Sequence, residues 1–128
     1  MDIVPIPAFR DNYIWVIHSL QGQERLAVLV DPGEPDAILS WLESQDARPV
    51  AILVTHHHGD HVGGVEELVE RWRCPVHGPA DPRIPGVTHR VREGDVVQRG
   101  QVVVRIDPAQ YQANVERMEA MLASAQAT

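Results

Sequence analysis

The chain has 128 residues, 44% hydrophobic and 23% charged, with a formal net charge of −7. That length suits one domain able to bury roughly two thirds of its unfolded surface, and the acidic balance argues against a nucleic-acid footprint or a basic membrane patch. All eleven basic residues are Arg, which excludes Schiff-base lysines, a P-loop lysine and lysine-linked cofactors. Cys74 is the single cysteine, so no internal disulfide forms, and it reads as a small buried hydrophobe. The opening MDIVPIPAFRDNY carries no basic stretch ahead of an apolar run, so no signal peptide is visible and a cytoplasmic location is expected. No apolar stretch approaches the ~20 residues of a membrane span.

Along the chain, Ile3–Pro7 and Tyr13–His18 read as short strands around the turn-like FRDN. Leu26–Val30 (LAVLV) is a continuous apolar run, expected as a strand buried on both faces. Asp31-Pro32-Gly33 then turns the chain. Pro35 suits the first position of a helix whose Ile38, Leu39 and Leu42 face inward. Val50–Val54 reads as a second fully buried strand, followed by a histidine-rich loop and a helix with Val65, Leu68, Val69 and Trp72 on one face. This alternation predicts an α/β layered domain with functional loops at the C-terminal strand ends. Cys74 to Gly94 reads as loop with short strands. Asp95–Ile106 holds two β-like runs, and Asp107-Pro108 starts a helix with Asp107 as its cap. In that helix Tyr111, Val115, Met118, Leu122 and Ala125 form a heptad seam, suited to self-association or to packing on the chain's own sheet.

Chemistry concentrates in LVTHHHGDHVGG, residues 53–64. His56, His58, Asp60 and His61 are nitrogen and oxygen donors of the kind that zinc, iron and manganese accept. The spacing of His56 and His58 lets both rings leave an extended segment on one side, while Asp60 and His61 sit where the chain turns into the helix. One loop can thus offer two ligands to each of two neighbouring metals, which would generate hydroxide near neutral pH and polarise a carbonyl. Gly59, Gly63 and Gly64 are expected to let the backbone turn tightly around the ions. His57 is expected at the surface or supporting the ligands from behind. His18, His77 and His89 read as structural, with His77 and His89 in reserve as ligands.

THHHGDHVGG resembles the signature of the metallo-β-lactamase superfamily. More narrowly, PIPAFRDNYIWVI, VDPG, ILVTHHHGDHVGGVEELV and VHGPAD are similar to the glyoxalase II (hydroxyacylglutathione hydrolase) family, from about Ile3 to about Val97. The resemblance implies an αββα sandwich and a binuclear site, zinc in the first instance, with iron or manganese as alternatives. It implies that His56 and His58 bind one metal and Asp60 and His61 the other. Asp60 is also the candidate catalytic residue, and Asp31 supports the site from behind. The implied reaction is hydrolysis of the glutathione thioester S-D-lactoylglutathione to D-lactate and glutathione.

The family pattern continues with a further His, a bridging Asp and a last His. Past Val97 this chain has no His, and Asp107 is its only Asp. The fold expected is therefore a truncated sandwich over residues 1–97, with a non-family hairpin and amphipathic helix over 98–128 and an incomplete, weak or inactive site. The tail from Arg92 to Ala127 resembles periplasmic membrane fusion (adaptor) proteins, in which a lipoyl-like hairpin leads into a coiled-coil helix. Alternative readings are a non-catalytic metal-binding module, a helix-pairing interaction module or an adaptor fragment.

Overall fold

A computed structural model of the chain describes residues 1–95. The strands β1 (Asp2–Ala8), β2 (Asn12–Gln21), β3 (Glu24–Val30), β4 (Ala47–Leu53), β5 (Val76–Gly78) and β6 (His89–Arg90) form one mixed sheet in chain order. The first three pair antiparallel and the rest are parallel. The β2–β3 hairpin closes through Gly22-Gln23, with Gly22 at φ 65°, a conformation that costs glycine little. Parallel pairing of β3 with β4 requires a crossover, and α1 (Pro35–Ser44) supplies it with Pro35 at its start. After β4 come the short α2 (Gly59–Val62) and α3 (Val65–Trp72). Arg73 ends α3 in a left-handed conformation and its N–H donates to Val69 O at 2.8 Å. The clustering of contacts groups Met1–Arg92 into one unit.

The core lies on one face of the sheet. Ile6, Ile14, Val16, Leu29 and Ile52 point there and meet Ile38 and Leu42 of α1 and Val65 and Leu68 of α3. The other face corrects one expectation. The run LAVLV is not buried on both sides: Ala27 and Leu29 are buried, while Leu26, Val28 and Val30 are half-buried. Across from Val28 and Val30 stand Ile17 and Trp15, and Ile3 and Pro5 continue the row on β1. Ile3, Tyr13 and Trp15 are 61%, 51% and 46% exposed. The apolar composition of these strands fits burial on two faces, but among the described residues helices cover only one. The two β-like runs after Asp95, the Asp107 cap and the heptad seam lie outside the described residues.

The loops after β3 and β4 emerge at the same sheet edge and lock together through backbone. Asp31 N–H donates to Leu53 O at 2.9 Å, and Gly64 N–H donates to Pro32 O at 2.8 Å. A Cβ on Gly33 would overlap the Asp60 carbonyl, and one on Gly63 would lie 2.5 Å from Gly33 O. The glycines therefore serve a different purpose from the one expected. Gly63 and Gly64 have ordinary right-handed backbone and are small because another backbone lies against them. Gly59 has open space where a side chain would go. Gly33→Ala should lower stability by about 1–3 kcal/mol or more through overpacking, whereas Gly59→Ala should stay within about 0.5 kcal/mol of the parent. Urea midpoints at unchanged m-value measure both.

Candidate metal centre

Because β3 and β4 run parallel, Asp31 at the end of one strand faces Thr55–His61 at the end of the other. Asp31 holds φ 50° and is buried. Its carboxylate accepts the Thr55 N–H at Oδ1 (2.7 Å) and the Thr55 hydroxyl at Oδ2 (2.6 Å). The Thr55 hydroxyl proton is thereby committed, so the 2.9 Å contact between Thr55 Oγ1 and His56 Nδ1 requires His56 Nδ1–H to donate. In neutral His56 this leaves Nε2 as a bare lone pair.

That lone pair lies 3.2 Å from His58 Nδ1. On the other side of the loop, His61 Nε2 lies 3.3 Å from Asp60 Oδ2. Two ligands on one tetrahedral ion, with metal–donor bonds of about 2.0–2.1 Å, stand about 3.3–3.4 Å apart. Both donor pairs have the spacing of two ligands sharing an ion. They are also adjacent: the His56 and His61 ring centroids are 4.0 Å apart, and donors of Asp31, His56 and His61 lie within 4.8 Å of one another. His61 Nδ1 is 3.1 Å from Asp31 Oδ2, yet it is a buried polar atom without an aligned hydrogen bond. Spacing, adjacency and donor type all fit a metal site.

Each remaining candidate has a definite place. His57 lies behind the loop, its Nδ1 3.4 Å from Asp81 Oδ2. His77 and His89 stack on each other across β5 and β6, ring centroids 4.5 Å apart, and neither joins the donor cluster. His18 is buried under Trp41 with Arg25 Nη1 3.1 Å from its Nδ1. Cys74 is buried, which pushes its thiol pKa up and makes it a poor nucleophile. A cleft of about 560 Å³ between α3 and the β5–β6 edge, with Cys74 and His89 in its lining, contains none of the loop's donors.

Two participants carried no sequence signal of their own. Asn12, the first residue of β2, donates from Nδ2 to both Asp60 O and Asp60 Oδ2 at 3.1 Å. Thr55, directly ahead of the first histidine, links His56 to Asp31. Asn and Thr are common turn residues, and only the approach of the 8–12 turn to the loop distinguishes Asn12.

Burial, then the neighbouring His61 and His58, lower the pKa of His56 below the ordinary 6.5, against an upward pull from Asp31 and Asp60. Burial, then His89, lowers that of His77 as well.

Comparison with known proteins bears on this geometry. The family model of the metallo-β-lactamase superfamily matches residues 9–114. The hydroxyacylglutathione hydrolase of Nitrosomonas europaea is 47% identical over 97 residues, covering 76% of this chain and 36% of that protein. The one from Alkalilimnicola ehrlichii is 48% identical over 97 residues, covering 76% and 37%. The chain thus spans little more than a third of the length of these curated relatives. Among solved structures, ETHE1 from Myxococcus xanthus superposes with a TM-score of 0.63 at 27% identity, over 79% of this chain and 45% of that one. TTHA1623, crystallised in a di-iron-bound form, gives 0.52 at 27% identity, over 73% and 57%.

The lowered histidine pKa values carry a pH prediction. Below pH 6.5 the unfolded chain takes up protons that folded His56 and His77 resist, so folding stability is lost as pH falls through that range. Urea midpoints of metal-free protein should drop between pH 7.5 and pH 5. His77→Gln should flatten that slope; an unchanged slope would exclude a contribution from His77.

Proposed function

The chain belongs to the metallo-β-lactamase superfamily, and on that footing we propose that it is a metal-dependent thioester hydrolase of the glyoxalase II type. Its substrate is S-D-lactoylglutathione, its products D-lactate and glutathione, its metal zinc or alternatively iron or manganese, and its place of work the cytoplasm. The observation that carries this reading is the two donor pairs, His56 with His58 at 3.2 Å and Asp60 with His61 at 3.3 Å. We assign each pair to one ion. The names of the curated relatives support the substrate class, and a fold neighbour crystallised with two irons supports double occupancy.

When bound, divalent ions supply the Lewis acidity that lowers the pKa of water and polarises the thioester carbonyl. In the net reaction water adds its oxygen to the carbonyl carbon, the C–S bond breaks, and the sulfur leaves with a proton. The chain's own share is positional. Thr55 Oγ1 accepts a hydrogen bond from His56 Nδ1–H and so aims the Nε2 lone pair at the His58 side. Asn12 Nδ2 donates to Asp60 Oδ2 and Asp60 O, which fixes the carboxylate beside His61 Nε2. Asp31 Oδ2 lies 3.1 Å from His61 Nδ1, and Asp60 Oδ2 lies 3.3 Å from His61 Nε2. Asp60 stands as the candidate catalytic carboxylate on the exposed rim of the loop.

Among the described residues the loop offers four donors, and fewer protein ligands mean lower affinity and looser geometry. From the loop's donors alone we expect weakly held metal and slow hydrolysis. The same shortage favours a second reading, a metal-binding module without turnover. The helix-pairing and adaptor readings rest on residues outside those described. Plasma mass spectrometry after dialysis against a weak chelator, paired with a thioester hydrolysis assay, tests these readings. Metal bound with turnover, both lost in Asp60→Ala, supports the hydrolase. Tight metal without turnover supports the second reading, and no metal at all sinks both.

A further inference from the structure

Three of the four candidate ligands have a polar group of a residue other than those four beside them. His56 is held by Thr55, His61 lies against Asp31, and Asp60 is held by Asn12. His58 is the exception. It is exposed, and its only side-chain polar partner among the described residues is His56 Nε2, the atom with which it would share an ion. Two rings lie edge-on to it: His56, with centroids 4.6 Å apart and planes at 74°, and His57, with centroids 4.9 Å apart and planes at 76°.

His57 in turn is tied to the segment after β5. Its Nδ1 is 3.4 Å from Asp81 Oδ2, and both side chains are largely shielded, 31% and 20% exposed. Asp81 is immobilised by a fork: Arg83 Nε donates to Oδ1 at 2.9 Å and Nη2 to Oδ2 at 2.7 Å, while the Arg83 backbone N–H donates to Oδ1 at 2.9 Å. Such bidentate pairs fix geometry as well as charge. Arg83, through its side-chain and backbone hydrogen bonds, holds the Asp81 pKa down at about 2, so the carboxylate stays charged wherever the protein is folded. The segment is anchored to the sheet close by, with Val54 N–H donating to His77 O at 2.8 Å.

We propose that Asp81, clamped by Arg83, positions His57, and that His57 sets the ring of His58 for metal binding. The middle histidine of the loop is then a positioning residue, the counterpart for His58 of what Asp31 and Thr55 are for the others. The inference rests on reading His56 and His58 as one metal-holding pair. Removal of groups that orient ligands typically costs about 10–100-fold in metal affinity.

Cobalt(II) titration of the full 128-residue chain, read by its visible absorption, tests the relay in the parent, Asp81→Asn, His57→Phe and the double variant. Asn keeps an oxygen for the Arg83 backbone N–H, and His57→Phe leaves the 79–84 segment untouched while keeping a ring edge against His58. Each single variant should weaken one binding step by about tenfold or more, with a changed cobalt spectrum and an unchanged urea midpoint of the metal-free protein. The double variant should lose no more than the worse single one, because both cut the same relay. Parent-like affinity in the single variants overturns the proposal. So does a loss that adds in the double variant, or one matched by a lower metal-free midpoint. A parent chain that binds no cobalt defeats the metal reading itself, and the relay with it.

Discussion

Backbone-on-backbone contact between the Asp31–Gly33 turn and the histidine loop is the constraint on which the rest depends. With Gly33 against the Asp60 carbonyl and Gly64 bonded to Pro32, two loops from adjacent parallel strands approach closer than side chains allow. That approach puts the Asp31 carboxylate within reach of Thr55 and His61 and turns the loop so that its donors converge. It also explains why Asp31 tolerates a left-handed φ, a cost of the order of 1 kcal/mol or more offset by three polar contacts at its carboxylate. The cost falls at the site and is met there.

The loop carries an electrostatic conflict. His56 has two other imidazoles in ring contact, and its pKa is held down by burial and by them. Neutral imidazole is the ligand form, so the same crowding that disfavours protonation keeps the donors ready. Asp31 and Asp60 supply the negative charge that a cation would meet. An orphaned His61 Nδ1 marks a cluster whose hydrogen bonding is incomplete among the described residues. Such groups are rare in interiors because each costs about 1–3 kcal/mol.

The sheet expresses a second constraint. Its helix-covered face is a dense core, while its other face presents Ile3, Tyr13 and Trp15 to the outside among the described residues. A contiguous apolar face of this kind is the half of a layered fold that another layer covers. The strands carry apolar residues on both sides, and the chain spans 36% of the length of the Nitrosomonas europaea relative.

Much was legible in the residues themselves. Apolar runs ending at Val30 and Val54 mark the two central strands, Pro35 marks a helix start, and HxHxDH marks a loop dense in nitrogen and oxygen donors, because burial, fixed φ and side-chain chemistry each act over a few neighbouring residues. The rest depended on contacts between residues far apart in the chain. Asn12 reaches Asp60 across 48 positions, Asp31 reaches Thr55 across 24, and Asp81 reaches His57 across the same interval. The role of Gly63 depends on a carbonyl from Gly33. The sequence by itself determined which chemistry the loop offers, since a side chain carries its donor atoms wherever it lies. Only the tertiary structure decided how the donors pair and what holds each one, since those depend on distances that the folding of β3 and β4 side by side creates.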